Sequence, residues 1–345
     1  MLEKLGHRTS YARKIQDYDF LEAIGKGSFG CVWKAVDKHS GDVVAIKELL
    51  KDLGFDVTSW KECLNSREVK ALRDLDHPNI VKLKQLIMNS KKLYLIMEYM
   101  DMTITQFMSK KVIDHNNKVR NVAIQLFQAL AYMHQKGYFH RDLKPDNILV
   151  SHGVVKLADL GMSREVSMGG DKLYTDYVTT RWYRAPEVLV SPSLYGPAVD
   201  MWAMGAIMAE LFTLRPLFRG SNGLNQVWKI CSVIGTPTKE TWDEGLVRAG
   251  KLMNILFPET HEGVDKLAEL MPNAGEDAIS LIRWLCSWDD RKRPTALEAL
   301  RHPYLTSHYT VPKSIETRGP TSRAPLSAKK RNAKQTIYVY SCSSV

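Results

Sequence analysis

A polar loop between two apolar segments carries the side chains of this chain that are best suited to chemistry. Residues 138–150 place Asp142, Lys144 and Asn147 between an apolar pair and an apolar triplet. The apolar flanks predict short buried strands, so the loop would be held at both ends. Asp142 could then orient and deprotonate a hydroxyl, Lys144 could offset the charge of a transferring phosphoryl group, and Asn147 could hold Mg²⁺. The loop therefore predicts phosphoryl transfer, and the alternative is an ordinary polar surface loop.

A glycine-rich segment near the start of the chain could bind phosphate. Gly25, Gly27 and Gly30 let the backbone approach an anion closely and point its N–H groups at it. The same spacing occurs in dinucleotide-binding turns, but there a helix follows. Here strand-forming residues follow, as far as residues 43–47. Lys47 is therefore predicted on a third strand, where its ammonium could hold phosphates.

A helix is predicted next, and it would supply a partner for Lys47. Residues 59–62 form a capping box, and apolar residues continue at helical spacing toward Pro78. Glu68 lies well inside this helix and is the expected ion-pair partner. Glu62 competes with Glu68 for this role, although its side chain is already engaged in the capping box. The other alternative is that Glu68 is a solvated charge on the helix surface.

A second acidic position follows the catalytic loop. Residues 154–158 read as a strand, and Asp159 comes directly after it. Its carboxylate would coordinate Mg²⁺ that bridges phosphates, and Gly161 would let the chain turn away.

The first part of the chain is predicted to be mainly strands and the remainder mainly helices. Strands are predicted over residues 80–86 and 93–97, and the linker 98–101 leads into the helical part. A helix is predicted over residues 117–135, with one apolar face in the core. The apolar stretch 201–212 is too short to span a membrane and reads as a buried core helix.

The composition is that of an ordinary globular protein, with 345 residues, 44% hydrophobic and 25% charged. This length suffices for two packed domains or one large bilobal one. The N terminus has no apolar signal core, and the five cysteines show neither metal-site nor disulfide spacing. These features predict a reducing compartment, the cytoplasm or the nucleus.

The net charge of +10 lies mainly in the C-terminal tail. Residues 313–345 hold seven basic residues and one acid, a net charge of +6. Residues 306–345 are rich in Ser, Thr, Pro and basic residues, which predicts disorder. The cluster 329–331 could be a nuclear-import signal, an anionic-surface patch or merely a solubilising segment. A folded nucleic-acid-binding face is not predicted, so nucleic acid is an unlikely partner.

These segments, taken together, resemble the motifs of eukaryotic protein kinases in order and spacing over residues 18–305. Leu160 stands where the family usually has phenylalanine. The matching positions are Gly25–Val32, Lys47, Glu68, His140–Asn147, Asp159–Gly161 and Ala185–Glu187, with Asp200 and Arg293 where the family braces the catalytic loop and pairs Glu187.

The resemblance implies an α+β, bilobal protein kinase fold. A small antiparallel β-sheet lobe with one key helix would lie over a larger, mainly helical lobe. Residues 1–17 would form an N-terminal extension, 18–100 the small lobe, 101–305 the large lobe and 306–345 the basic tail.

The resemblance also implies ATP and Mg²⁺ in the cleft between the lobes. Asp142 and Lys144 would be catalytic, and Asn147 and Asp159 would hold the metal. The residues implied for ATP binding are Ile24, Gly25, Lys26, Gly27, Ser28, Phe29, Gly30, Cys31, Val32, Ala45, Lys47, Glu68, Met97, Glu98, Met100 and Leu149.

A narrower resemblance concerns the substrate. Lys144 within the loop is the form seen in serine/threonine kinases, and residues 175–184 resemble the activation segment of the group containing MAP kinases and cyclin-dependent kinases. Together with residues 59–63 and 226–237, this segment is similar to that of the male-germ-cell-associated kinases. The group implies protein substrates with Ser-Pro or Thr-Pro sites, which Arg181 would help to select.

The same group implies a phosphorylation switch. Thr175 and Tyr177 would be activation phosphosites, with an upstream kinase acting on Thr175 and autophosphorylation on Tyr177. The residues implied to receive these phosphates are Arg67, Arg141, Arg164, Arg181 and Arg184.

Two other function classes compete with an enzyme. A nucleotide-binding scaffold without catalysis would have lost Lys47, Asp142, Asn147 or Asp159, and all four are present. A nucleic-acid-binding protein would depend on the basic tail and would show a steep salt dependence of binding. Neither displaces the predicted enzyme.

Overall fold

The computed structural model describes residues 13–27, 30–49, 64, 66–89, 92–110, 115–165, 181–190, 195–253, 257–258 and 265–307. Predictions for most of the N-terminal extension, for the tail and for the activation phosphosites therefore lie outside the described residues.

A five-stranded antiparallel sheet forms the first part of the fold, with strand order β1-β2-β3-β5-β4. Both faces of its central strands are buried, because successive side chains of a strand point to opposite sides. Leu93 and Leu95 belong to the main core, and Tyr94 and Ile96 belong to a smaller core on the other face. The strands are β1 (Tyr18–Gly27), β2 (Gly30–Asp37), β3 (Val43–Leu49), β4 (Leu83–Asn89) and β5 (Lys92–Glu98). The predicted small β lobe is confirmed.

The chain before the sheet packs against it. Ile15 and Tyr18 join a small core with Val44, Ile46 and Ile96. The described end of the predicted N-terminal extension is thus part of the folded unit, since burying apolar surface stabilises the sheet at about 25 cal/mol per Å².

The strand predicted over residues 80–86 is displaced in the structure to β4, which begins at Leu83. Ile80 forms an isolated parallel bridge with Leu157, and the backbone of Asn79 accepts from the Leu157 amide. The chain between Pro78 and Leu83 is therefore engaged with the strand that precedes Asp159. This pairing competes with extension of β4 and links the two parts of the molecule.

The helix beside the sheet is α1 (Arg67–Asp74), with Ser66 at its N-cap in an extended conformation. The sequence predicted a helix from the capping box at residues 59–62, which lies outside the described residues. Within α1, Glu68, Val69, Ala71 and Leu72 are buried.

The rest of the chain is mainly helical around one buried helix, α5. Every residue from Val199 to Phe212 is buried, and all are apolar except Asp200 and Glu210, which confirms the core helix predicted over residues 201–212. The helices are α2 (Ile104–Ser109), α3 (His115–Gln135), α4 (Pro186–Val190), α5 (Ala198–Thr213), α6 (Gly223–Ile234), α7 (Lys239–Met253), α8 (Leu267–Leu270), α9 (Glu276–Leu285), α10 (Ala296–Ala299) and α11 (Pro303–Thr306). None of the helices in the described ranges is long and apolar enough to cross a bilayer.

Short strands frame the polar loop. Strands β7 (Tyr138–Phe139) and β8 (Ile148–Ser151) bound it, as its apolar flanks predict. Strand β8 lies between β6 (Met102–Thr103) and β9 (Val154–Leu157), and β7 pairs with β10 (Arg164–Glu165). Both ends of the loop are thereby fixed.

Candidate active site

The structure brings the three predicted side chains of the polar loop together. Lys144 Nζ lies 2.8 Å from Asp142 Oδ2. Asn147 Nδ2 donates to the Asp142 backbone oxygen at 2.8 Å and to Asp142 Oδ2 at 3.1 Å. Because its amide nitrogen faces Asp142, the amide oxygen of Asn147 is the atom left to face a cation. A carboxylate with one ammonium beside it can accept a hydroxyl proton while the ammonium faces a phosphoryl group.

Asp200, in the buried helix α5, holds this loop in place. Its carboxylate accepts from the backbone amides of His140 at 2.8 Å and Arg141 at 2.9 Å, and it lies 2.9 Å from His134 Nε2. Burial alone would raise the pKa of Asp200, but hydrogen bonds from His134 and the His140 amide keep it below its usual value. Arg141 has a φ of 73°. Such a conformation is strained for a residue with a side chain, so the Asp200 bonds also hold a strained backbone.

A buried ion-pair cluster lies at the junction of the sheet, α1 and the segment after β9. Lys47 Nζ is 2.6 Å from Glu68 Oε1 and 2.9 Å from Asp159 Oδ1. Burial opposes the charge of Lys47, but the two carboxylates raise its pKa well above normal. Burial raises the pKa of Glu68, whereas Lys47 outweighs burial at Asp159 and lowers its pKa. Glu68 is therefore the partner of Lys47 within the described residues; Glu62 lies outside them.

Asp159 and the turn that follows fix where a metal could bind. Asp159 is left-handed at φ 57° and ψ 66°, and Leu160 behind it is fully buried. Gly161 lies in the turn Leu160–Met162 and does not take a positive φ. A Cβ on Gly161 would lie 3.4 Å from Asp159 Oδ1 and from Glu68 Oε2, so this position borders both carboxylates of the cluster.

The glycine-rich segment is a hairpin between β1 and β2. Gly27 pairs with Gly30, and Lys26 pairs with Cys31. Gly30 has a φ of 143°, and a Cβ there would lie 1.9 Å from the Glu48 backbone oxygen, so only glycine fits. Ser28 and Phe29, at the tip, lie outside the described residues.

The predicted adenine side is apolar. Ala45 on β3 pairs with Met97 on β5, and Ala45 and Met100 are buried while Leu149 is half-buried. Of the remaining implied residues, Val32 is half-buried and Ile24 is exposed. Apolar side chains above and below a planar base are typical of nucleotide pockets.

The carboxylate of Glu98 is occupied elsewhere. It accepts from the Lys82 amide at 2.7 Å and from Lys156 Nζ at 2.8 Å. The Glu98 backbone amide donates to the Lys82 backbone oxygen at 3.1 Å, so the Glu98 backbone oxygen is the linker atom that could accept from a purine amino group.

The oxygen donors present fit Mg²⁺ held jointly with phosphates. Asp159 supplies a carboxylate and Asn147 an amide oxygen, and Mg²⁺ in phosphate sites is usually held by one or two carboxylates plus substrate oxygens. Across the described ranges, no group of three or more His, Cys, Asp or Glu side chains forms a metal cage. The donor set thus suits a cation that arrives with the nucleotide.

A second buried ion pair joins α4 to the segment before α10. Arg293 donates from both terminal nitrogens to the two carboxylate oxygens of Glu187, each at 2.7 Å. The same guanidinium donates to the backbone oxygens of Ser287 and Ala198. The resemblance to kinases anticipates this pair, and the structure contains it.

The arginines implied as phosphate receivers come from four parts of the fold, with Arg181 and Arg184 on one turn before α4. Arg67 is exposed at the start of α1, and Arg164, Arg181 and Arg184 are half-buried. Arg141 Nε donates to the Tyr195 hydroxyl at 3.0 Å, and its Nη1 donates to the Met162 backbone oxygen at 3.2 Å. Thr175 and Tyr177 lie outside the described residues.

Sequence reasoning missed two supporting residues, His134 and Tyr195. His134 ends a helix whose pattern indicates only core packing, and Tyr195 follows Glu187 in a stretch without periodicity. No local sequence signal identifies either, because His134 contacts Asp200 and Tyr195 contacts Arg141 only in the tertiary fold.

Residues 18–305 match the family model of the protein kinase domain. The chain is 49% identical over 302 residues to cyclin-dependent kinase F-4 of Oryza sativa subsp. japonica, covering 87% of this chain and 64% of the relative. It is 46% identical over 323 residues to cyclin-dependent kinase F-3 of the same organism, covering 90% and 72%. With human serine/threonine-protein kinase MAK it shares 44% identity over 290 residues, covering 84% of this chain and 45% of MAK.

The chain thus spans less than two thirds of the length of cyclin-dependent kinase F-4 and about half the length of MAK. The match itself extends over nearly all of the described residues. The chain belongs to the protein kinase family, in the group of serine/threonine kinases that includes MAK and the cyclin-dependent kinases.

Proposed function

We propose that this protein transfers the γ-phosphoryl group of ATP to serine or threonine hydroxyls of other proteins. The observation that carries the proposal is the assembled site: Lys47 contacts both Glu68 and Asp159, and Asp142 contacts both Lys144 and Asn147. In most analyses phosphoryl transfer needs little covalent help from the protein, so positioning and charge stabilisation account for most of the catalysis.

Each residue has a role that its surroundings support. Asp142 would orient the attacking hydroxyl and accept its proton, and Lys144 would offset charge on the transferring group. Lys47 would hold the α- and β-phosphates, fixed by Glu68. Asn147 and Asp159 would hold Mg²⁺, which when bound neutralises charge on the phosphates.

A scaffold that binds nucleotide without catalysis is the second candidate. It would lack at least one of Lys47, Asp142, Asn147 and Asp159, so the sequence disfavours it. A phosphorylation assay with an oriented peptide library separates the two, because a scaffold leaves every peptide unmodified.

The same library tests the substrate class. We propose that proline is favoured directly after the target residue, since Arg181 shapes a pocket in which any other residue would leave its N–H without a partner. Thr180, expected to contact Asp142 and Lys144, lies outside the described residues. Enrichment of Ser-Pro and Thr-Pro peptides is the expected outcome, and equal labelling of all residues at the following position contradicts it.

Activation is proposed to depend on Thr175 and Tyr177. Each phosphate adds a charge of about −1.5 to −2 that arginines must receive. Arg67 precedes Glu68 on α1 and Arg141 precedes Asp142 in the catalytic loop, so phosphate binding there would couple to both sites. An upstream kinase would act on Thr175, and Tyr177 would be autophosphorylated.

Substitution tests this switch. Thr175→Ala and Tyr177→Phe should each lower activity, and the double variant should lower it most. Mass spectrometry establishes the phosphorylation state of each sample. Full activity of the unphosphorylated double variant contradicts the proposal.

We propose that the catalytic domain comprises residues 18–305, with the small lobe ending near residue 100. We also propose that the protein acts in the cytoplasm or the nucleus. The basic tail would contribute localisation or solubility rather than nucleic-acid binding. A tail that binds nucleic acid would instead show a steep decrease of affinity with salt that disappears on deletion of residues 313–345.

A further inference from the structure

Outside the roles assigned above, a buried tyrosine joins α1 to the segment that follows the metal-binding position. Tyr138, on β7 directly before the catalytic loop, is 5% exposed. Its hydroxyl donates to Asp74 Oδ2 at 2.7 Å and lies 2.9 Å from Glu165 Oε1. Asp74 is the last residue of α1, and Glu165 lies on β10, paired with Tyr138 across the two strands. One hydroxyl thus contacts acidic groups from two different elements.

A lysine on α1 completes the cluster. Lys70 Nζ lies 2.7 Å from the same Oε1 of Glu165. A phenol has one proton to donate, so two carboxylates would compete for it if nothing else were near. Lys70 compensates the negative charge of Glu165. The Tyr138 hydroxyl can therefore donate its hydrogen bond to Asp74 while Glu165 keeps a partner. Hydrogen bonds to ionised groups are shorter and stronger than neutral ones.

The protonation states suit this arrangement. Burial and the neighbouring carboxylates raise the pKa of Tyr138, so the hydroxyl stays protonated. Hydrogen bonds from Lys70 and Tyr138 lower the pKa of Glu165, so it stays ionised.

The position of the cluster on α1 gives it a consequence at the nucleotide site. Glu68, the partner of Lys47, lies on the same short helix as Lys70 and Asp74. Glu68 and Asp74 are six residues apart, which is about 9 Å along the helix axis. The short helix moves as one rigid body, so a restraint at Asp74 also restrains Glu68. The helix also packs on the turn at Leu160–Met162, between Asp159 and β10.

We propose that the Tyr138 hydroxyl is a positioning group that holds α1 against β10 and so keeps Glu68 in contact with Lys47. Surface ion pairs alone contribute little, and the side chains of Lys70 and Glu165 are about half exposed. The buried hydroxyl is therefore the central contact. Lys70 balances the charge of Glu165, so that Asp74 and Glu165 can both lie beside this hydroxyl. This inference rests on the proposed function for its catalytic consequence, but its structural part does not.

The test compares Tyr138→Phe with Tyr304→Phe in the full chain. Tyr304 is similarly buried, and its hydroxyl donates one hydrogen bond, to the Asn116 backbone oxygen, far from α1. Hydrogen exchange of the amides in residues 67–74 should become about tenfold faster in Tyr138→Phe and stay unchanged in Tyr304→Phe. The KM for ATP should rise about three- to tenfold in Tyr138→Phe with a smaller change in kcat, because Lys47 is less well held.

A double-mutant cycle with Asp74→Ala isolates the contact. Asp74→Ala in the Tyr138→Phe background should add less than twofold to the exchange rate, since the two residues act through one hydrogen bond. Equal exchange of α1 in the two phenylalanine variants, or full additivity with Asp74→Ala, overturns the inference. If the wild-type protein phosphorylates no peptide, the proposed function fails, while the exchange measurement still decides the positioning role.

Discussion

At the scale of single residues, the Lys47 cluster shows how strongly burial and charge oppose each other in this protein. The side chains of Lys47 and Glu68 are 8% and 9% exposed. Removing two charges from water costs several kcal/mol per ion, and it is offset only when the geometry is good and further hydrogen bonds are made. Asp159 supplies the second partner of Lys47. The cluster therefore meets this condition, and removing Lys47 alone would leave buried carboxylates without a counter-charge.

Lys47→Met should abolish phosphotransfer and weaken nucleotide binding, because phosphates lose the ammonium that holds them. It should also lower the free energy of unfolding by about 3 kcal/mol, since Glu68 is left as a buried, uncompensated acid. Denaturant unfolding and nucleotide titration check both effects.

The double variant with Glu68→Gln is the matched control for this prediction. It removes the more deeply buried of the two carboxylates that Lys47→Met leaves without a counter-charge, and it should restore most of the stability without restoring activity. A Lys47→Met variant as stable as wild type contradicts the account of the buried pair.

The residues that we propose to act directly could be named from the sequence, whereas the residues that hold them in place could not. Asp142, Asn147 and Asp159 lie in motifs whose spacing is local, so the chain itself indicates them. His134, Tyr138 and Tyr195 depend on contacts between distant segments: the His134–Asp200 bond spans 66 positions. No periodicity carries that information.

At the scale of elements, strong periodicity predicted the existence and type of helices and strands better than their bounds. The catalytic-loop flanks and the core helix α5 were predicted correctly. Strand β4 was predicted to begin three residues too early. The reason is that Ile80 pairs with Leu157 and not with β5, the neighbour of β4 in the sheet.

The link between α4 and the segment before α10 depends on the Glu187–Arg293 pair. Glu187→Gln should lower the free energy of unfolding by about 3 kcal/mol, because the Arg293 side chain is fully buried and would lose its counter-charge. Chemical denaturation measures the change.

Glu244→Gln provides the control for that substitution. Its carboxylate is 54% exposed and pairs with Arg248 at the surface, so its loss should change stability by less than about 1 kcal/mol. Equal destabilisation by the two substitutions would show that burial does not govern the effect.

At the scale of the whole molecule, Leu305 is the last residue of the core within the part of the chain that the structure describes, and the basic tail follows it in the sequence. A chain ending at Ser307 should keep its melting temperature within about 2 °C and its peptide phosphorylation within about twofold. Thermal unfolding and a peptide assay test this expectation. A large loss of either in the shortened chain would mean that the tail is part of the folded catalytic unit.

The central claim is that the loop around Asp142 catalyses phosphoryl transfer. A comparison of two substitutions in this loop tests the claim most directly. Phosphate transfer from ATP to a Ser-Pro or Thr-Pro peptide is measured for wild type, Asp142→Asn and Asp146→Asn. Asp146 lies in the same loop, but its carboxylate accepts from the Thr105 hydroxyl at 2.8 Å.

We predict that Asp142→Asn binds ATP normally and loses at least about 100-fold in kcat, as expected for removal of a general base. Asp146→Asn should stay within about tenfold of wild type. Wild-type turnover by Asp142→Asn would contradict the assignment of the catalytic site.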